Sequence, residues 1–299
     1  MERLDEAITA TTTIVDAHTH LFPSAVISGR ERYLENDSWF SELFTHPKSI
    51  IVGPAELTAS MDEAGIDRSI VSGWPWRDAG LCREHNSFLA DVAATSNGRI
   101  EWLGIVSPTS PDAQRDARTC FELGAVGLGE LNADAQGFAW DDSECLDAVV
   151  EVCEAAGRPL LLHASEPVGR RYPGKGFATP DRLLPFLARH PRLSVVAAHW
   201  GGGLPFYELM PEVAALTRNV VYDSAASTYL YRFDIFPTVL AIVGAERVLF
   251  ASDYPVLTQP RFLRRVRNAG IAPSALGKVL GGNAERVFRL PSLKQEATD

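Results

Sequence analysis

Residues 15–23 read VDAHTHLFP, and two imidazoles one residue apart in that stretch decide how the whole chain is read. An apolar start, Ile14 to Ala17, leads into His18 and His20, and Pro23 follows. Side chains at i and i+2 of a strand share one side. His18 and His20 are therefore predicted to face one point, with Asp16 one layer deeper on that side. On this reading H-x-H is a strand-borne pair of metal ligands.

Working outward, short apolar runs recur at 14–17, 69–73, 102–106, 126–131, 159–163, 194–199, 220–224 and 248–253. They are continuously apolar rather than alternating, as parallel strands buried on both faces should be. Helical patterns separate them. Leu146, Val149, Val150 and Cys153 form an i, i+3, i+4, i+7 stripe, closed by Gly157 and Pro159. Ser110–Pro111 and Thr179–Pro180 each read as an N-cap followed by proline at the first helical position. Eight strand–helix units predict a (β/α)8 TIM barrel, with a doubly wound sheet as the fallback. No repeat or linker divides the chain, so one domain over 1–299 is expected. Two long connections, 21–54 and 164–179, would lie on the catalytic face of such a barrel, and the aromatic-rich 21–54 segment is expected to be a lid.

A net charge of −10 argues against nucleic acid or an anionic membrane as partner, and leaves a small molecule. The opening MERLDEAITATTT is too polar for a signal peptide, and no apolar run approaches a bilayer span. Cys82, Cys120, Cys145 and Cys153 lack metal-type spacing, and Cys145 and Cys153 fall on apolar helical positions. Reduced core cysteines, and hence a cytoplasmic protein, are the expectation. A homo-oligomer is compatible with this composition.

In a barrel the site lies where strands end. Glu130, His163, His199 and Asp253 close the predicted strands four, five, six and eight, as His18 and His20 close the first. Each directly follows an apolar run, where an unpaired imidazole or carboxylate would cost about 2–7 kcal/mol to bury. One divalent cation accounts for all six. His46, His85 and His190 fall in a loop, a helix start and a helix end, and read as structural.

At these residues the chain resembles the amidohydrolase superfamily, in its amidohydrolase-related branch, which includes the aminocarboxymuconate-semialdehyde decarboxylases. The motifs are DAHTHLFP at 16–23, LLHASE at 161–166, AHWGGGLPF at 198–206, ASDYP at 251–255 and GNAERVF at 282–288. The resemblance implies that His18, His20, His163 and Asp253 contact the metal. It implies His199 as a ligand of a second metal or as an acid/base beside one. Two-metal members carry a bridging carboxylate on strand four, often a carboxylated lysine, but Lys48, Lys175, Lys278 and Lys294 end no strand. Glu130 would then bridge two ions directly, or hydrogen-bond to a ligand histidine.

The leading expectation is a metal-dependent hydrolase holding one or two ions, zinc first and manganese as the alternative. The ion would activate water to cut a C–N or C–O bond in an amide, cyclic imide, lactone or ester. Asp253 would move the proton, and His199 would polarise the substrate carbonyl. The alternative is a non-oxidative decarboxylase or hydratase-type lyase of an aromatic-derived or unsaturated carboxylic acid. Arg170, Arg171, Tyr172 and Lys175 are candidates to clamp a substrate carboxylate, and Trp74, Trp76, Trp200 and Tyr254 to wall its pocket.

Overall fold

A computed structural model describes residues 13–140, 144–291 and 293. Residues 1–12, which carry most of the polar opening stretch, and Lys294 lie outside them. Eight strands, β1 (Val15–His20), β2 (Arg68–Ser72), β3 (Ile100–Gly104), β4 (Gly127–Leu131), β5 (Leu160–Leu162), β6 (Val195–Ala197), β7 (Val220–Asp223) and β8 (Val248–Leu249), pair in parallel in chain order. The ends of the sheet meet: Thr19 bridges Tyr254 in parallel, and Asp253 N–H donates to the His18 carbonyl at 2.9 Å. Helices α1 (Pro54–Ala64), α2 (Ala79–Thr95), α3 (Ala113–Glu122), α4 (Glu144–Ala156), α5 (Pro180–Arg189), α6 (Pro211–Leu216), α7 (Ile235–Val243) and α8 (Gln259–Arg267) follow the strands in turn. This is the (β/α)8 TIM barrel.

The barrel interior is a packed plug rather than a pore. Val15, Ala17, Ile70, Leu103, Leu161, Val196, Val221 and Leu249 form one buried cluster, and a larger one lies between strands and helices. One pleat above that plug, strand alternation brings Ser72, His163 and Asp223 to the mouth.

Three local expectations are corrected. Asp16 does not share a side with His18: it falls between the interior residues Val15 and Ala17 and so faces outward. There it accepts from Ser252 N at 2.8 Å and from Gln259 Nε2 of α8 at 2.8 Å. A register irregularity between Asp16 and Thr19 breaks the alternation and returns His18 to the interior. Strand β6 stops at Ala197 rather than reaching residue 199, and β8 stops at Leu249 rather than 253. The third concerns α3, which begins at Ala113 rather than Pro111, because Ser110 Oγ closes a turn on Asp112 N at 3.2 Å. The stripe of α4 is as expected, with Leu146, Val149, Val150 and Cys153 all buried.

Segment 21–54 carries three short helices, Ser24–Ser28, Arg30–Asn36 and Ser38–Phe44. Its rings join an aromatic cluster in which Phe40 stands 5.6 Å from Trp74 and 5.4 Å from Trp76. Among the described residues no helix is long and apolar enough to cross a membrane.

Candidate metal centre

The local backbone that delivers the candidate ligands departs from regular strand. His199 and Asp253 have φ of 56° and 64°, in the left-handed region that non-glycine residues rarely adopt outside constrained sites. Glu130 follows Gly129, whose φ is +117° and whose absent Cβ would lie 2.3 Å from the Leu161 carbonyl oxygen. Only glycine lets β4 approach β5 so closely. The Glu130 N–H then donates to Ser72 Oγ.

All six candidate ligands converge. His18 Nε2 lies 3.1 Å from His20 Nε2 and 3.5 Å from Glu130 Oε2, and His20 Nε2 lies 3.4 Å from Asp253 Oδ1. Glu130 Oε1 lies 2.7 Å from His163 Nδ1 and 3.3 Å from His199 Nε2. Ligand atoms held about 2.1 Å from one ion at tetrahedral or right angles stand about 3.0–3.4 Å apart, the spacing found here. Two triads result, His18/His20/Asp253 and Glu130/His163/His199, with the two oxygens of Glu130 turned one toward each.

The outer nitrogens fix the tautomers. His20 Nδ1 faces the Ser72 carbonyl at 3.3 Å, an acceptor only, so it carries the proton. His18 Nδ1 donates to Asp223 Oδ2 at 2.9 Å. Asp223 Oδ1 is held in turn by the N–H groups of His199 (2.8 Å) and Ala225 (3.0 Å). The two inner Nε2 atoms meet at 3.1 Å, and with both rings neutral they would oppose lone pair to lone pair, so either a proton or a metal cation belongs between them. The donor set fits a divalent metal.

The electrostatics agree. Burial disfavours charge on His18 and His199, yet acidic neighbours outweigh it. Glu130 and Asp223 hold the His18 ring well above the ordinary imidazole value, and Glu130 and Asp253 raise His199 to about 9. Burial likewise opposes ionisation of Glu130, but His163 and His18 keep its carboxyl well below the usual range. A site whose carboxylates favour positive charge on the facing rings also favours a bound cation.

The residues expected to form the substrate shell have partners within the protein. Arg170 is exposed and donates to the Tyr229 carbonyl at 3.3 Å, and Arg171 lies over the Phe177 ring at 5.6 Å. Lys175 bonds to the Val168 and Arg170 carbonyls, and Tyr172 donates to Glu166 at 2.9 Å. Lys175 and Arg171 thus make contacts within their own loop, and Arg170 reaches the neighbouring segment at Tyr229. Trp74 and Trp76 are buried in the aromatic cluster, and Trp200 is buried with Nε1 donating to Ser227 Oγ at 2.7 Å. Tyr254 is buried in the β8–β1 seam, its hydroxyl on the Glu56 carbonyl at 3.2 Å.

Two residues near the ligands escaped the sequence reading. Asp223 ends the apolar run VVYD and obeys the same strand-end rule that singled out Glu130 and His163. Trp39 stands with its ring centroid 6.5 Å from that of His163, edge to face, and no local pattern marks it.

A barrel with a cation-gathering mouth is one class of protein, and the sequence comparison specifies which. The family model described as Amidohydrolase matches residues 15–290, and the chain belongs to that family of enzymes. Over 284 residues it is 25% identical to the gamma-resorcylate decarboxylase of Polaromonas sp. strain JS666, covering 77% of this chain and 85% of the relative. A solved structure of 5-carboxyvanillate decarboxylase from Sphingomonas paucimobilis matches with a TM-score of 0.80 at 21% identity, over 94% of this chain and 100% of that one. The 5-carboxyvanillate decarboxylase from Novosphingobium aromaticivorans, solved with manganese and 4-hydroxy-3-methoxy-5-nitrobenzoic acid, matches at 0.77 and 19%, over 94% and 97%.

These relatives correct the leading functional expectation. Hydrolysis of a C–N or C–O bond is overturned by their being decarboxylases, and the alternative stated with it is the one they favour. The physical reason is that one ligand set serves both chemistries: an ion that activates water also binds and polarises a carboxylate. A divalent-metal site stands, but zinc is not singled out, since imidazole with carboxylate suits manganese as well.

Proposed function

We propose that the chain is a divalent-metal-dependent, non-oxidative decarboxylase of a hydroxy-substituted aromatic carboxylic acid, with manganese the metal to test first. The observation that carries this is the close approach of the His18 and His20 Nε2 atoms flanked by Glu130 and Asp253, in a chain similar to a decarboxylase. His18, His20, His163 and Asp253 would hold the ion, with Glu130 between the two triads. When bound there, a divalent ion supplies positive charge against which the substrate's carboxylate and adjacent oxygen are held.

The chain's own residues do the rest. Asp223 orients His18 and the His199 backbone through separate oxygens. Glu130 and Asp253 raise the His199 pKa to about 9, which favours the protonated ring, and His199 would serve as the proton source at the mouth. Its proton goes to the ring carbon that bears the carboxylate. The carbon–carbon bond then breaks, and its electron pair returns to the ring as carbon dioxide leaves. No oxidant and no water are consumed, and one proton is taken up per turnover.

The test is direct. Protein purified without chelators and loaded with manganese is given gamma-resorcylate, 5-carboxyvanillate and related hydroxybenzoates. Carbon dioxide and the decarboxylated arene should form in equal amounts, with one solvent deuteron entering the ring in heavy water. An absence of carbon dioxide from every member of the panel would sink the reading.

A further inference from the structure

Of the six tryptophans, Trp74, Trp76, Trp102, Trp140 and Trp200 are buried, and Trp39 alone is partly exposed. It belongs to the helix Ser38–Phe44, whose placement is over-determined. Asp37 caps the helix by accepting from Phe40 N at 2.7 Å. Phe40 is locked into the aromatic cluster, and one residue along a helix is a rotation of about 100°. With Phe40 driven inward, Trp39 lies at the margin of that cluster, packed against it in part, and meets His163. On the same helix Glu42 Oε1 accepts from Gly174 N at 3.0 Å, and Leu43 lies against Gly174. This clasps the helix to the loop that begins just after His163.

Trp39 packs in part against the core, and the portion left open lies beside the cation-gathering cluster, where an apolar ring can meet it. Its plane lies at 81° to the His163 ring, so the two rings are not stacked on each other. A benzoate whose carboxylate is held by the metal must project its ring away from the ligands and toward the loops. Resting on the decarboxylase reading above, we propose that Trp39 packs against the substrate's aromatic ring and selects aromatic over aliphatic carboxylates. Segment 21–54 therefore completes the site of its own chain.

The experiment uses the manganese-loaded full chain and the variants Trp39→Phe and Trp39→Ala. The probes are 4-hydroxy-3-methoxy-5-nitrobenzoic acid, whose nitro group quenches indole fluorescence, and oxalate, a metal-binding acid without a ring. Trp39→Ala should weaken binding of the nitrobenzoate about tenfold, as loss of one aromatic packing partner implies, and leave oxalate affinity within about twofold. Trp39→Phe should recover most of the lost affinity. With a turned-over hydroxybenzoate, KM should rise more than kcat falls. Equal weakening of both probes, unchanged nitrobenzoate affinity in Trp39→Ala, or no binding by the unaltered protein would each overturn the proposal. The binding arm needs no turnover, so it decides Trp39 even where the unaltered enzyme releases no carbon dioxide and the decarboxylase reading fails.

Discussion

His85 shows what separates a ligand histidine from a structural one. Its Nε2 donates to the Leu21 carbonyl at 2.8 Å, and its Nδ1 accepts from Trp76 Nε1 at 3.0 Å and Trp74 N at 3.3 Å. Every nitrogen is used by the protein, and a proton on Nδ1 would face two donors. His18 and His20 instead keep one nitrogen each for something the chain does not supply. Burial depresses the His85 pKa to about 4, below its unfolded value near 6.5. The unfolded chain then binds the extra proton first as pH falls. The stabilisation from a neutral His85 is complete above about pH 6.5 and is lost toward pH 4, by roughly 3 kcal/mol. Urea midpoints at about pH 7.5 and about pH 5 test this: the acid loss should shrink in His85→Gln. An equal loss in the variant would assign it to other groups.

At the scale of elements, the close contact of β4 with β5 places Glu130, whose carboxylate stands near histidines of both triads. Strand β4 reaches β5 through Gly129, and any side chain there meets the Leu161 carbonyl. Gly129→Ala should therefore push the strands apart and carry Glu130 with them. A loss of about 1–3 kcal/mol in stability is expected, together with a fall in metal retained after dialysis. Normal metal content in a folded Gly129→Ala protein would show that the Glu130 position does not depend on this contact. The strand-end rule found Glu130, because a carboxylate closing an apolar run is visible locally. The dependence on Leu161 was not visible, because residues 32 positions apart meet only through sheet register.

For the whole molecule, the ligands tie together opposite ends of the chain. His18 and Asp253 come from the first and last strand regions, and the barrel seam runs between them. An ion there should act as a clasp on closure. Binding to the folded state alone adds about 2.7 kcal/mol when the ion is at a hundred times its dissociation constant. For a chain of this size that corresponds to a rise in Tm of about 4 °C. Manganese added to chelator-stripped protein should produce it in a thermal melt, and calcium, which prefers oxygen ligands, should produce much less. Equal melts with and without manganese would remove the clasp.

The sequence by itself determined the barrel and the histidines and carboxylates that meet at its mouth. Strand and helix period are local, and a histidine or carboxylate ending a buried run needs no partner to be noticed, which is why His18, His20, Glu130, His163, His199 and Asp253 were all legible. Tertiary structure alone decided which side Asp16 takes, since one register irregularity reverses strand alternation. It also decided which aromatic residues are spent on packing and which one is left at the mouth, because burial is set by neighbours distant in the chain. The polar residues of the fifth loop had the same ambiguity. A guanidinium or hydroxyl looks identical in sequence whether it waits for a substrate or already holds its own backbone, and here Arg170, Lys175 and Tyr172 hold their own loop or a neighbour.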